Sequence, residues 1–396
     1  MMNFTYNQPT RITFGIGCIE QLSAISKRYG KKCLLVGPEQ NDAIRWIYEL
    51  VMEKLQEAGI EFVPFLCVEP NPYSSTVNEA LALAWQAQID FVLAVGGGSS
   101  IDVGKLVASC YGAKQIEFEE LFQTYNSPFA MYPSISVTKL PLLAVPTTSG
   151  TGSQFTQAAV ITHADTKLKL TVYHPDQFAK EALIDPQFMK SLPPMLTAST
   201  AFDAFTHAFE PYLQNESNPL TQQLAVEAIR RIVTALPKVL ELNALEDRES
   251  LALADCYAGI CLANGGAALP HPISEIIGSY VPRLNHGQAL SLCYPAFLKY
   301  TAEKYQAKFA QVCRIMDESY LQKTDQEAAE EFHLVMETFL RKINLSLSLK
   351  QFNADEEAYA KIRHCEILNH LSMESKETIK LVLEETLERG NYDETY

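Results

Sequence analysis

Five segments in the first hundred residues alternate between continuous apolar runs and amphipathic stretches. They predict strand, helix, strand, helix and strand, over residues 33–37, 42–59, 60–66, 76–87 and 91–96. This alternation is typical of a parallel sheet wrapped by helices. A further apolar run at 142–146 is expected in the same sheet, and residues 157–172, rich in β-branched side chains, are also expected to be strand. The short stretch 15–17 is predicted to be a hairpin turn.

The character of the chain changes at about Pro186. Beyond it, long segments of helical period follow one another without strand signals: residues 197–213, 221–242, 251–264, 303–316 and 325–342. A chain of 396 residues is too long for one hydrophobic core. We therefore predict an α/β nucleotide-binding domain with a parallel sheet over residues 1–186 and an all-helical domain over residues 187–396.

Charge and composition restrict the possible partners. The formal net charge of −15 disfavours binding to nucleic acid or to an anionic membrane surface, because both repel a negative protein. The N-terminus lacks a signal-peptide core, and no uninterrupted apolar stretch is long enough to span a membrane. We expect a cytoplasmic protein whose partners are small molecules or other subunits.

Three glycines follow the predicted strand at 91–96 and open a helix in the sequence VGGGSSIDVGK. Glycines allow the backbone to approach a pyrophosphate closely, and the free N–H groups and dipole of the next helix attract its charge. The alternative is a tight strand-to-helix turn without a ligand. The residues assigned to a dinucleotide here are Gly96, Gly97, Gly98, Ser99 and Asp102.

A second polar loop, PTTSGTGSQ, follows the predicted strand at 142–146 and supplies several hydroxyl groups. Ligands of open α/β sheets bind at the carboxyl ends of the strands, so both loops can face one crevice. We assign Thr147, Thr148 and Thr151 to the same cofactor.

A candidate metal site contains one carboxylate and three imidazoles. Asp203 and His207 are four residues apart in a predicted helix, so both side chains lie on one face. Such a pair is also common as a surface hydrogen bond. His271 and His286 each stand beside a helix breaker further along the chain. Together these nitrogen and oxygen ligands suit Fe²⁺ or Zn²⁺ better than Ca²⁺ or Mg²⁺.

The sequence resembles the iron-containing (group III) alcohol dehydrogenase family over nearly its full length. The motifs that carry this resemblance are GGGSSIDVGK, PTTSGTGSQ, PNPYSSTVNEA and STAFDAFTHAFEPYL. Within the family, HPISEIIGSYVPRLNHGQAL is most similar to the butanol dehydrogenase branch.

The resemblance implies a two-domain plan like that of dehydroquinate synthase, with one divalent metal held in the cleft by Asp203, His207, His271 and His286. It also implies NAD or NADP as cofactor, with Lys169 near its adenosine end, and a homodimer in which residues 4–14 form an edge strand. The implied reaction moves a hydride between NAD(P) and a small primary alcohol or aldehyde. The alternatives are a lyase similar to dehydroquinate synthase and a non-catalytic relative.

The chain departs from the family pattern at two informative positions. Family members often have a histidine four residues after the third metal ligand, where this chain has Glu275. We predict that Glu275 is catalytic and accepts the substrate proton; the alternative is a solvated helix residue or a partner for Arg283. After the second strand the family commonly has an aspartate that selects NAD, whereas this chain has Glu39, whose charge would disfavour the 2′-phosphate of NADP.

Overall fold

The computed structural model describes residues 3–214, 217–371 and 374–389. The described residues divide into two units, one formed by Thr5–Leu192 and the other by residues 3–4 together with the described residues from Pro193 onward. Each unit has its own hydrophobic core.

The described strands of the first unit are β1 (Arg11–Phe14), β2 (Lys32–Gly37), β3 (Glu61–Leu66), β4 (Phe91–Gly96), β5 (Leu142–Pro146), β6 (Ala158–Thr162), β7 (Lys169–Tyr173) and β8 (Glu181–Ile184). Six of them form a parallel sheet in the order β1-β8-β5-β4-β2-β3. Every residue of β4 and β5 is buried, as expected for central strands covered on both faces. The predicted parallel α/β sheet is confirmed.

Five α-helices connect these strands: α1 (Leu22–Ser26), α2 (Arg45–Glu57), α3 (Ser74–Ala87), α4 (Gly98–Ser109) and α5 (Phe118–Thr124). The apolar faces of α3 and α4 pack on β2, β4 and β5 to form the core of this unit. The chain adds β3 on one side of β2 and then places β4 on the other side. This reversal of strand order creates a crevice at the carboxyl ends of β2 and β4, which is where open α/β sheets bind ligands.

The edge strand expected over residues 4–14 is limited to β1, Arg11–Phe14. The first unit differs from the sequence-based expectations in two further places. Gly15–Gly17 is not a hairpin turn, because β1 pairs in parallel with β8 and the glycines lead into a short 3₁₀ helix at Cys18–Gln21. The predicted strand region 157–172 forms two strands, β6 and β7, which pair with each other in an antiparallel sheet separate from the main one. Both outcomes depend on pairing partners that local sequence does not specify.

The second unit is helical throughout its described residues. Its α-helices are α6 (Pro194–Leu213), α7 (Pro219–Leu242), α8 (Leu245–Gly265), α9 (Pro270–Tyr280), α10 (His286–Thr301), α11 (Gln306–Met316), α12 (Asp325–Glu330), α13 (Phe332–Lys342), α14 (Glu356–Arg363) and α15 (Lys376–Glu388). The segment expected to be one helix at 325–342 is divided at Glu331 into α12 and α13. Buried side chains of α6 lie in the core of this unit.

Within the described residues, no single helix is long and apolar enough to cross a membrane; one pair, α8 and α9, passes by length and composition together but is bent by 104°.

Candidate functional site

Helix α6 places Asp203 and His207 on one face, and both side chains are buried. The Nε2 atom of His207 lies 3.4 Å from Oδ1 of Asp203. Because the two residues are four apart, one turn of helix is enough to bring them together. The helix itself begins with proline at its first position and is buried along most of its length, which holds this pair within the unit.

His271 and His286 come from the starts of two other helices and reach the same carboxylate. His271 is the second residue of α9, and its Nε2 lies 3.9 Å from Oδ1 of Asp203. His286 is the first residue of α10, and its Nε2 lies 3.6 Å from the same oxygen. The ligand atoms of Asp203, His207 and His271 all lie within 4.8 Å of one another. The structure therefore brings all four predicted metal residues together.

Two local features position His286. Asn285 caps α10 and forms a capping box with Gln288, which defines where the helix begins. Gly287 packs directly on the backbone of Ser199 in α6, where a side chain would collide with the Ser199 carbonyl group. The absence of a Cβ atom at Gly287 is what allows α10 to bring His286 so close to Asp203.

The environment of the cluster favours a bound cation. Oδ1 of Asp203 and Nε2 of His271 are buried and have no hydrogen-bond partner among the described residues. Burial raises the pKa of the Asp203 carboxyl; His271 opposes this, and the carboxylates of Asp255 and Glu210 add to it. A divalent cation would satisfy both orphaned atoms and relieve the repulsion among the acids. The residues present therefore fit a metal ion with mixed nitrogen and oxygen ligands.

Glu210 belongs to this site but was not singled out in the sequence. It is fully buried on α6, and its Oε2 atom lies 2.7 Å from Nδ1 of His271. A signal for it existed, because Glu210 follows His207 by three residues and Asp203 by seven and so shares their helix face. Burial acts to lower the pKa of His271, but the charge of Glu210 and its hydrogen bond, with Asp203 and Glu275, raise it.

Glu275 lies one turn after His271 on α9 and is partly exposed. Its charge contributes to the raised pKa of His271, so the carboxylate is close enough for the imidazole to experience its field.

In the first unit, the glycine turn lies at the carboxyl end of β4 and leads into α4. Gly96 has a φ of 154°, a backbone conformation that favours glycine. A Cβ atom on Gly97 would lie 3.4 Å from Thr148, and one on Gly98 would lie 2.9 Å from Thr151. The glycine turn and the threonine loop are thus direct neighbours at the ligand-binding edge of the sheet.

The threonine loop is hydrogen-bonded to the glycine turn and contains one buried hydroxyl group without a hydrogen-bond partner among the described residues. The backbone N–H of Thr147 donates to the Gly96 carbonyl oxygen at 3.0 Å. The Oγ atom of Ser149 is buried without a hydrogen-bond partner among the described residues. Beside the loop, an apolar pocket is lined by Pro38, Ile44, Ile47, Tyr48, Val95, Gly96 and Thr147. The glycine turn, which has no side chains to block its backbone, and the unpartnered Ser149 hydroxyl group beside it fit a dinucleotide at this crevice.

Asp102 lies on α4 and is hydrogen-bonded to the end of the threonine loop. Its Oδ1 accepts a hydrogen bond from Ser153 Oγ at 2.6 Å, and its Oδ2 accepts one from the backbone N–H of Val160 at 3.0 Å. Lys105, which is completely buried, also donates to Asp102. All three of these hydrogen bonds join the Asp102 carboxylate to other groups of the protein.

The other two predicted cofactor residues lie in the first turn of α4 and at the start of β7. Ser99 is in the first turn of α4, where its Oγ accepts from the backbone N–H of Asn71 at 3.3 Å. Lys169 is the first residue of β7 and pairs with Thr162 of β6.

Comparison with protein families identifies two matching models. Residues 9–186 match the iron-containing alcohol dehydrogenase model, and residues 197–384 match the model of the C-terminal part of the Fe-containing alcohol dehydrogenase family.

Individual relatives support the same assignment over most of the chain. The sequence is 32% identical to 1,3-propanediol dehydrogenase of Klebsiella pneumoniae, covering 83% of each chain. It is 30% identical to the NADPH-dependent butanol dehydrogenase of Clostridium saccharobutylicum, covering 91% of this chain and 89% of the relative. These matches do not favour a lyase or a non-catalytic relative.

The fold is also shared with a solved NADH-dependent butanol dehydrogenase from Thermotoga maritima, with a TM-score of 0.85 and 26% identity over 98% of this chain and 99% of that one. The matches cover both units of the chain, including the metal cluster and the two loops. The chain therefore belongs to the iron-containing alcohol dehydrogenase family, a group of NAD(P)-dependent, metal-binding enzymes, and is an alcohol oxidoreductase.

Proposed function

We propose that the protein transfers a hydride between NAD(P) and a small primary alcohol or aldehyde, using one divalent metal ion, Fe²⁺ or Zn²⁺. The observation that carries this proposal is the convergence of three imidazole Nε2 atoms on one buried carboxylate oxygen of Asp203. Four ligands of this chemistry, two of them with orphaned atoms, suit a catalytic transition metal.

Asp203, His207, His271 and His286 would hold the metal. When bound, a divalent ion supplies Lewis-acid polarisation of an alcohol or carbonyl oxygen. The chain's own contribution is to hold the four side chains on three helices and to surround them with buried residues. Asp203, His207 and His271 are all less than a tenth exposed, so little water competes for them.

We assign nucleotide binding to residues 1–186 and metal binding to residues 187–396. The phosphates of the cofactor would lie against the glycine turn (Gly96, Gly97, Gly98 and Ser99) and the threonine loop (Thr147, Thr148 and Thr151). Backbone N–H groups at the start of α4 would donate to the phosphate oxygens. Asp102 would keep the threonine loop in place through Ser153. Lys169 would lie near the adenosine end.

Glu275 is the residue that we propose to accept the substrate proton. A carboxylate one helical turn from His271 experiences the positive charge of a bound cation, which keeps it ionised. It could then accept a proton through a water molecule or a ribose hydroxyl group.

We further propose that the enzyme is cytoplasmic and acts as a homodimer, with no nucleic acid or membrane as partner. β1 lies at the edge of the six-stranded sheet, where its outer backbone groups are available for a second copy. The net charge of −15 supports a small-molecule substrate.

The deciding experiment measures metal content and turnover in parallel. The purified protein is loaded anaerobically with Fe²⁺ or with Zn²⁺, and oxidation of NADH and NADPH is followed with short straight-chain aldehydes. His271→Ala should lose metal-dependent turnover. His333→Ala is the matched control, because His333 is a partly exposed histidine on α13 whose Nδ1 contacts the backbone carbonyl of Glu330 and no residue of the metal cluster. A His271→Ala protein with full metal content and full rate would disprove the assignment of this ligand.

A further inference from the structure

Glu210 is a buried carboxylate whose two oxygens are both engaged. Oε2 lies 2.7 Å from Nδ1 of His271 and accepts a hydrogen bond from the backbone N–H of Ala268 at 2.6 Å. Oε1 accepts from the hydroxyl group of Tyr294 at 3.0 Å. No lysine or arginine forms an ion pair with Glu210 in the part of the chain that the structure describes. The imidazole of His271 is therefore its closest charge partner.

These contacts determine which nitrogen of His271 carries the proton. An ionised carboxylate only accepts hydrogen bonds, so Nδ1 of His271 must donate to Glu210. In a neutral imidazole this leaves the lone pair on Nε2. Nε2 is the atom that lies 3.9 Å from Oδ1 of Asp203 and lacks a hydrogen-bond partner among the described residues. The tautomer set by Glu210 is thus the one that presents a ligand atom to the cluster.

The same carboxylate also connects the elements that carry the metal residues. Glu210 lies on α6 with Asp203 and His207. Ala268 lies two residues before the start of α9, which carries His271, and Tyr294 lies on α10 with His286. One fully buried side chain therefore bonds to all three segments. Its hydrogen bonds restrict both the ring of His271 and the spacing of the helices around it.

We propose that Glu210 is a positioning residue for metal binding, which holds His271 in the Nδ1–H tautomer and orients its Nε2 toward the ion. The proposal rests on the metal site of the proposed function. Carboxylates that accept from the distal nitrogen of a metal-bound histidine fix its orientation and increase its basicity, and their loss lowers metal affinity by about 10- to 100-fold.

The test compares zinc affinity of Glu210→Gln with that of the unmodified protein by competition with a chelator. The amide cannot accept from His271, Ala268 and Tyr294 as the carboxylate does, so affinity should fall about 10- to 100-fold. Tyr294→Phe is the matched control, because it removes one bond to Glu210 and leaves the bond to His271. Its zinc affinity should fall by less than that of Glu210→Gln, because the bond that orients the His271 ring is retained. Circular dichroism and thermal unfolding of the metal-free proteins establish that each variant is folded.

A second measurement does not depend on the folding of a variant. In zinc-loaded, ¹⁵N-labelled protein, the Nδ1 atom of His271 should show the chemical shift of a protonated, hydrogen-bonded nitrogen and Nε2 that of a metal-bound one. The resonances are assigned by their absence in His271→Ala. Coordination through Nδ1 would overturn the proposal.

The outcomes separate this inference from the proposed function. If His271→Ala binds zinc as tightly as the unmodified protein, the assignment of the metal site itself is refuted. If His271→Ala loses zinc affinity while folded Glu210→Gln keeps it, only the positioning role of Glu210 is refuted.

Discussion

Replacing Gly287 by alanine tests how the metal residues are brought together. Gly287 follows His286 at the start of α10, and an added Cβ would lie 2.6 Å from the carbonyl carbon of Ser199 and 3.1 Å from its Cα. Carbon atoms pack at about 3.5 Å or more, and the Ser199 carbonyl oxygen would be closer still, so α10 must move by at least about 0.9 Å. This displacement acts on His286, whose Nε2 lies 3.6 Å from Oδ1 of Asp203.

The expected magnitude follows from this collision. Metal sites tolerate ligand displacements of about 0.2 Å, so zinc affinity should fall at least about tenfold. Overpacking against backbone costs about 1–3 kcal/mol, whereas alanine in place of glycine in an unobstructed helix stabilises by up to about 1 kcal/mol. We therefore expect Gly287→Ala to lower the free energy of unfolding, in contrast to the prediction from helix propensity alone.

Chelator competition measures the zinc affinity, and urea unfolding of the metal-free protein measures stability. Gly104→Ala is the matched control, because Gly104 lies in α4 of the other unit and its added Cβ would lie 3.1 Å from two side-chain atoms, on Ala94 and Leu142. The Leu142 methyl group can rotate away, and the Ala94 Cβ, which is fixed to its strand, needs to shift by only a few tenths of an ångström. The effect on stability should therefore stay within about 1–2 kcal/mol, and the zinc affinity should be unchanged. A Gly287→Ala protein that is more stable than the parent and binds zinc equally well would refute the close-approach argument.

Four further predictions concern other parts of the molecule. Lys105→Met removes a completely buried ammonium group and leaves the Asp102 carboxylate without its positive partner, so the free energy of unfolding measured in urea should fall by about 3–5 kcal/mol. A decrease below about 1 kcal/mol would contradict this expectation. Burial acts to raise the pKa of Asp176, but hydrogen bonds from Lys139 and the Ile135 backbone, together with nearby positive charge, lower it below its ordinary value. The ionised Asp176 carboxylate therefore stabilises the folded protein above the pKa of the unfolded state, and this contribution is lost as pH falls through the folded pKa. In urea unfolding, Asp176→Asn should lower the free energy of unfolding by about 1–2 kcal/mol near pH 7 and by less near pH 3. Equal losses at the two pH values would be inconsistent with the lowered pKa. The ratio of kcat/KM for NADH and NADPH should favour NADH because of Glu39, and a tenfold preference for NADPH would show the opposite. Glu275→Gln should lower kcat and alter its pH profile while metal content is retained, and an unchanged rate and profile would remove Glu275 from the mechanism.

Local sequence was sufficient for much of the fold and for choosing four candidate metal residues that the structure brings together. The apolar run at Phe91–Gly96 and the run at Leu142–Pro146 became strands with those bounds, because their continuous hydrophobicity is only compatible with burial on both faces. Asp203 and His207 were recognisable as a pair because the helical period places residues four apart on one face. Helix breakers beside His271 and His286 indicated that both lie near helix starts.

Other features required the tertiary structure. The parallel pairing of β1 with β8 joins segments about 170 residues apart, and no turn near Gly15–Gly17 encodes it. The close approach of Gly287 to Ser199 and the hydrogen bond between Glu210 and His271 likewise join different helices. The periodicity of apolar residues indicates which face of a helix or strand is buried, because this pattern is local to the sequence of that element. Which elements meet, and which atoms then face each other, depends on packing between distant segments, and that packing decided how the four metal residues and Glu210 form one site.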